Sequence, residues 1–183
     1  MEYRLTTPCT AEDLAPLKAG DTVLLSGVVY TARDQAHKRM IEALEKGKKL
    51  PFDLTGSAIY YVGPTPERPG EVIGSAGPTT SGRMDAMSRL LDLGNKIMIG
   101  KGKRDDAVKA AVVRNGAVYL AALGGAGALM AKSVETLEVI AWPDLGCEAV
   151  RRLTVQDMPL TVILDAHGGD LYQSGPAAYL ESK

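Results

Sequence analysis

The chain predicts a layered α/β fold, a single β/β/α domain over residues 1–183, and three observations carry that expectation. Its 183 residues are 45% hydrophobic and 23% charged, the balance of an ordinary globular domain and far from a disordered or collagen-like chain. Aromatics are sparse, with one Trp and one Phe, so the core must be built from Ala, Val, Leu and Ile in closely packed layers. Helical patterns occupy the middle of the chain and strand-like runs both ends, which favours a layered arrangement over its competitor, a doubly wound sheet.

Thr10-Ala-Glu-Asp opens a short helix with a hydroxyl cap and acids in its first turn, and Lys18-Ala-Gly-Asp turns it into the strand TVLLSGVVYT, Thr22 to Thr31. Asp34 is placed to cap the next helix, which carries Ala36, Met40, Ile41 and Leu44 on one stripe and closes near Gly47. AIYYVG (Ala58 to Gly63) reads as a strand in a polar, turn-rich neighbourhood, followed by the loop PTPERPG and a second strand beginning at Glu71. Thr79-Thr80-Ser81-Gly82 leads into a helix with Met84, Met87, Leu90 and Leu91 facing a core and Gly94 ending it. The strand KIMIG exits into Lys101-Gly102-Lys103, and Asp105 and Asp106 start a helix that stops at Asn115-Gly116. AVYLAAL is the next strand, GGAGALMAK a small helix and LEVIAW a strand. AVRRLTV and LTVILDA follow as two further strands among turns such as HGGD.

Charge and composition exclude several function classes. With 21 Lys and Arg against 22 Asp and Glu, the broad positive field of a nucleic-acid binder is missing. The longest uncharged stretch, Asn115 to Ala131, is interrupted by Gly116, Gly124, Gly125 and Gly127 and is too short for a membrane span. The start, MEYRLTTP, has Glu2 and Arg4 where a signal peptide needs an apolar run, which with two cysteines points to the cytoplasm. Cys9 and Cys147 stand far apart with only His37 and His167 beside them, so no ordinary zinc site is expected. Cys9 reads as a loop thiol, Cys147 as a packing thiol, and His167 as a turn residue.

The most informative string is GPTTSGRMD, Gly77 to Asp85. Two hydroxyls and two glycines before a helix start offer free N–H groups to an anion, and Arg83 adds a forked pair of donors. No GKS or GKT follows, so it is not a nucleotide phosphate loop. An ordinary Thr-capped helix with a solvated Arg would look the same on spacing alone. Arg33 in TARDQAHKR and Lys101 in GKGK add cations at two more strand exits. Three cations with Thr79 and Thr80 suit a small dianion, because each desolvated carboxylate needs a paired cation. His37, one turn after Arg33, can act as an acid or base near neutral pH, or can be a half-buried helix residue.

GPTTSGRMD, TARDQAHKR, IGKGK and the closing WPDLGCEAVRRLTVQDMPLTVILDAHGGDLY together resemble the beta subunit of two-subunit class I fumarate hydratases and of the related L-tartrate dehydratases. The resemblance runs from LTTP almost to the C-terminus. It implies a swivelling β/β/α domain that pairs with an alpha subunit holding a four-iron, four-sulfur cluster, with a dimer of alpha/beta pairs as the expected assembly. By motif, Arg33, Arg83 and Lys101 match positions that grip substrate carboxylates, Thr79 a hydroxyl that handles the proton at the substrate carbon, and His37 a histidine of the active site. Thr80 stands beside Thr79 as a further substrate-binding hydroxyl. Lys103 departs from the small polar residue, often Asn, usual in fumarases, and the Arg83-to-Lys101 spacing is slightly shorter than in single-chain enzymes, whereas Gly82 fits the fumarase form of the motif. The expected activity is hydration of fumarate to L-malate. The alternatives are dehydration of L-tartrate or another 2-hydroxy diacid, and a non-catalytic anion-binding or assembly domain.

Overall fold

The computed structural model describes residues 1–123 and 125–182. In chain order the elements are β1 (Glu2–Thr7), α1 (Ala11–Leu14), β2 (Thr22–Thr31), α2 (Asp34–Glu45), β3 (Ala58–Tyr60), α3 (Arg89–Asp92), β4 (Ile97–Gly100), α4 (Asp106–Asn115), β5 (Val118–Ala121), α5 (Gly127–Lys132), β6 (Val134–Ala141), β7 (Val150–Leu164) and α6 (Leu171–Glu181), with 3-10 turns over Ser81–Met87 and Pro143–Glu148. Among the described residues no helix is long and apolar enough to cross a membrane.

The fold is α/β. Its described strands form a seven-stranded sheet in the order β1-β2-β3-β4-β5-β7-β6, and β2 also pairs with β7, so the sheet closes partly into a barrel. β1 to β5 run parallel, each to its neighbour, while β7 is antiparallel to β2, β5 and β6. The period-2 alternation of the short strands sorts their side chains into two clusters. Ala58, Tyr60, Ile97, Ile99, Val118 and Leu120 join the cluster that also holds Val23, Leu25, Val155 and Leu160. Ile59, Met98 and Tyr119 point the other way, into a cluster with Ala36, Met40, Leu91 and Val112 from the helices. One face of the sheet therefore lines an inner core and the other carries helices.

Local chemistry fixes several boundaries as expected. Thr10 and Asp13 form a reciprocal capping box on α1. The Asp105 side chain accepts the Val108 N–H at 2.8 Å, and Gly116 ends α4 in the left-handed region at φ 56.

Other expectations are corrected. Asp34 is the first residue of α2 and Arg33 its cap residue, without a side-chain cap bond. Ala58, Ile59 and Tyr60 are all buried, because β3 lies mid-sheet rather than in a polar margin. No strand begins at Glu71; the segment after the β3 exit loops out and returns to the sheet at a bridge of Pro78 to Val62. The helix expected after Thr80 is a 3-10 turn followed by short α3. AVRRLTV and LTVILDA are one continuous strand, β7, which passes through Asp157 at φ 47. The C-terminal α6 was not anticipated, because Gly175 and Pro176 lie inside it and weaken its helical pattern. The thiols exchange roles: Cys9 is 2% exposed in the inner core, whereas Cys147 is exposed. Gly124 of the GGAGALMAK stretch lies outside the described residues.

Candidate active site

Because β1 to β5 are parallel, their C-terminal ends open on one side, the place where α/β sheets gather ligand groups. Arg33 follows β2, Tyr61 to Gly63 follow β3, and Lys101 follows β4. GPTTSGRMD is laid across these exits by backbone bonds. The Thr79 N–H donates to the Tyr61 carbonyl at 2.8 Å and the Ser81 N–H to the Lys101 carbonyl at 2.9 Å. Thr80 forms a parallel bridge with Lys101, and the Lys101 N–H donates to Ser81 Oγ at 3.0 Å. Thr79, Thr80 and Lys101 are thereby brought together. These bonds spend two of the string's amides, those of Thr79 and Ser81, on the neighbouring strand exits.

The two arginines converge on one carboxylate. Arg33 Nε lies 3.8 Å from Asp34 Oδ1, and Arg83 Nη1 lies 3.7 Å from Asp34 Oδ2. Arg33 Nη2 also lies 3.5 Å from Glu148 Oε1. These are long ion pairs rather than hydrogen bonds, and both Arg33 Nε and Asp34 Oδ1 are buried without a hydrogen-bond partner. A ligand carboxylate could therefore take donors that Asp34 and Glu148 leave unsatisfied. The Arg83 side chain is 54% exposed, against 20% for Arg33, so Arg83 is open to an incoming group. The Arg33 side chain runs close over Gly63, where an added Cβ would stand 2.9 Å from Nη1.

Below this surface lies a buried layer. His37 is 2% exposed; its Nδ1 sits 3.0 Å from the Arg33 carbonyl, and its ring meets Tyr61 edge-on with centroids 5.2 Å apart. Burial pushes the imidazole down to about 4, the Arg33 carbonyl opposing that shift and Arg104 adding to it. His37 is consequently neutral near pH 7. A carbonyl partner fixes Nδ1 as the protonated nitrogen.

Sequence reasoning passed over the groups that fasten this layer. Tyr119 OH lies 2.9 Å from both Ser81 Oγ and the Gly102 carbonyl, and the Gly102 N–H donates to Tyr172 OH at 3.1 Å. Arg104 Nε donates to Asp85 Oδ1 at 2.5 Å. Asp85 closes the quoted GPTTSGRMD string and Arg104 directly follows IGKGK, so the available signal is their place near Arg83 and Lys101. Asp34 stands in TARDQAHKR, where its place before the helix signals only a cap.

Two clefts of about 420 and 410 Å³ flank the 64–75 loop, and neither is lined by Arg33, Thr79, Arg83 or Lys101. The cationic cluster thus sits outside both. Among the described residues no group of three or more His, Cys, Asp or Glu side chains is arranged to hold a metal ion, and Cys9 (buried) and Cys147 (exposed) are both free thiols.

Comparison with known proteins gives a consistent assignment. The family model described as Fumarase C-terminus matches residues 1–175. Fumarate hydratase 2 of Leishmania major is 38% identical over 164 residues, covering 88% of this chain and 29% of that enzyme. A Methanocaldococcus jannaschii protein provisionally named L(+)-tartrate dehydratase subunit beta is 42% identical over 180 residues, covering 94% of this chain and 92% of that protein. The L(+)-tartrate dehydratase subunit beta of Escherichia coli is 33% identical over 189 residues, again covering 92% of that subunit. The chain therefore spans under a third of the Leishmania enzyme and nearly all of the two beta subunits.

Proposed function

The chain belongs to the fumarase C-terminus family, and on that footing we propose that it is the beta subunit of a hydro-lyase that reversibly hydrates fumarate to L-malate. In this reading it supplies the carboxylate-binding half of a site completed by an alpha subunit, in a dimer of alpha/beta pairs in the cytoplasm, and it is the swivelling β/β/α domain of that enzyme. The observation that carries the reading is the convergence of Arg33 and Arg83 on the Asp34 carboxylate, with Thr80, three residues before Arg83, bridged to Lys101.

Each residue has a role in the proposal. Arg33 and Arg83 exchange Asp34 for one substrate carboxylate, which gains shorter, charge-assisted bonds than the long pairs present now. Lys101 and Thr80 bind the second carboxylate across the Thr80–Lys101 bridge. Thr79 handles the proton at the substrate carbon. A threonine hydroxyl is a weak base, so its proton must be drawn off by a neighbouring carboxylate or by the alpha subunit, since Lys101 is held protonated on the second carboxylate. His37, neutral and bonded to the Arg33 carbonyl, orients the backbone that presents Arg33. The four-iron, four-sulfur cluster belongs to the alpha subunit in this reading and supplies Lewis acidity toward the substrate hydroxyl; none of its ligands comes from this chain.

The test is reconstitution with a cluster-bearing alpha subunit and steady-state comparison of malate and tartrate. Hydratase activity in the complex and none in the isolated chain is expected. Robust turnover by the isolated chain would defeat the split site. A preference for tartrate would establish the second reading, which is favoured by the 92% coverage of two tartrate dehydratase beta subunits. Dicarboxylate binding without turnover in any complex would instead indicate a binding module. Within the active complex, Arg83→Lys keeps the charge but loses the fork. It should lower kcat/KM by about 1.5–3 kcal/mol, roughly ten- to hundredfold, and leave the unfolding midpoint unchanged.

A further inference from the structure

Arg83 and Lys101 lie on separate segments, and the nearest covalent path between them runs through α3 and β4. The Thr80–Lys101 bridge and the Ser81–Lys101 bonds join the turn to the strand end, and a second, buried link lies beneath them. Asp85, two residues beyond Arg83, accepts from Arg104 Nε at 2.5 Å and, through Oδ2, from the Asp105 N–H at 2.7 Å. Arg104, three residues beyond Lys101, has a side chain only 1% exposed. Its guanidinium carbon lies 5.4 Å from the centre of the Tyr61 ring and 5.0 Å from that of Tyr119. Nη1 meets Met98 Sδ at 3.3 Å, and Nη2 is buried with no hydrogen-bond partner.

Stability alone is a poor reason for this arrangement. Desolvating an ion pair costs about what its Coulomb attraction returns, and apolar residues of similar volume often serve as well or better. Here the guanidinium is left one donor short besides. Yet the pair is placed where geometry matters, with one end fixed to the turn bearing Arg83 and the other to the loop bearing Lys101. Tyr119, whose ring packs on Arg104, also ties Ser81 to the Gly102 carbonyl. We propose that Asp85 and Arg104 are positioning residues that set the separation of Arg83 from Lys101 and thereby the length of dianion the site accepts. This rests on the dicarboxylate reading above and adds the device that calibrates it.

The experiment is kinetic, on the reconstituted alpha/beta complex. Asp85→Asn and Arg104→Lys should each raise KM for the dicarboxylate at least tenfold while kcat changes less than threefold. Losing a buried charge partner can also unfold the chain, so the paired replacement Asp85→Leu with Arg104→Met is made alongside. It removes the charges together, should keep the unfolding midpoint near that of the parent, and should still raise KM. A double-mutant cycle gives a readout that a purely structural role does not move: Arg83→Lys should cost several-fold less in the Asp85→Asn background than in the parent. Arg114→Gln, which breaks the exposed Arg114–Asp92 pair, serves as the control and should leave KM unchanged. Folded variants with the parent's KM and additive effects would overturn the proposal while the hydro-lyase reading stands. An unmodified complex with no turnover on any dicarboxylate would overturn the reading, and the positioning role with it.

Discussion

His37 lies against Tyr61 under the site, and its burial makes stability depend on pH. Its imidazole titrates near 6.5 when unfolded and at about 4 when folded, so between those values the unfolded chain binds more protons. The contribution is complete above about pH 6.5 and is lost as pH falls toward 4, on the order of 3–4 kcal/mol in all. His37→Phe keeps a ring beside Tyr61 and should flatten this slope; urea unfolding of both proteins at pH 7.5 and 5 measures it. The thiols give a second test. Burial, with Asp13 nearby, raises Cys9 to about 11, and its Sγ lies 3.4 Å from the Thr6 carbonyl. Iodoacetamide at pH 8 should modify only the exposed Cys147 in the folded chain, and Cys147→Ser should abolish labelling until denaturant is added.

At the scale of elements, the site depends on how closely the 3-10 turn approaches the end of β4. An added Cβ at Gly100 would stand 1.9 Å from Ser81 Oγ and 3.0 Å from the Tyr61 ring. Gly100→Ala should therefore push the turn off the strand, costing about 2–3 kcal/mol in unfolding free energy by overpacking. Displacing Ser81 also frees the Lys101 N–H, so kcat/KM of the reconstituted complex should fall with it. Chemical denaturation and steady-state kinetics of the same preparation separate the two losses. Elsewhere β7 shows how a strand tolerates an unsuitable residue. Pro159 lies between the stretch paired with β6 (Val150–Val155) and that paired with β5 (Thr161–Leu164). On that edge its missing N–H forfeits no ladder bond.

Across the whole molecule, the pairing of β2 with β7 joins the first third of the chain to the last, from Thr22 with Thr161 to Thr31 with Arg151. That closure puts both core clusters on opposite faces of one sheet, so neither can dissolve without exposing the other. Unfolding should accordingly be a single transition. Trp142, the only tryptophan, packs against the helix-side cluster, and its fluorescence midpoint in urea should coincide with that of far-UV circular dichroism. A lower fluorescence midpoint would mean that the helical layer melts first.

Periodicity and caps alone were enough for β2, α1, α4 and the buried stripe of α2, because hydrophobic spacing, the Thr10 and Asp105 caps and Gly116 are local signals. Arg33, Thr79, Thr80, Arg83 and Lys101 were legible as candidates, since each stands at a strand exit or in a marked motif, and their working as one constellation belongs to the proposal. Local signals could not reveal that β7 is a single strand, since its course is set by long-range pairing with β2, β5 and β6. They also missed α6, where Gly175 and Pro176 argue against a helix. Nor could they show that two of the amides expected to hold an anion are spent on Tyr61 and Lys101, that Asp34 stands between two arginines, or that Asp85 and Arg104 form a buried pair. Those facts depend on which strand ends meet in space, and sheet closure decides that.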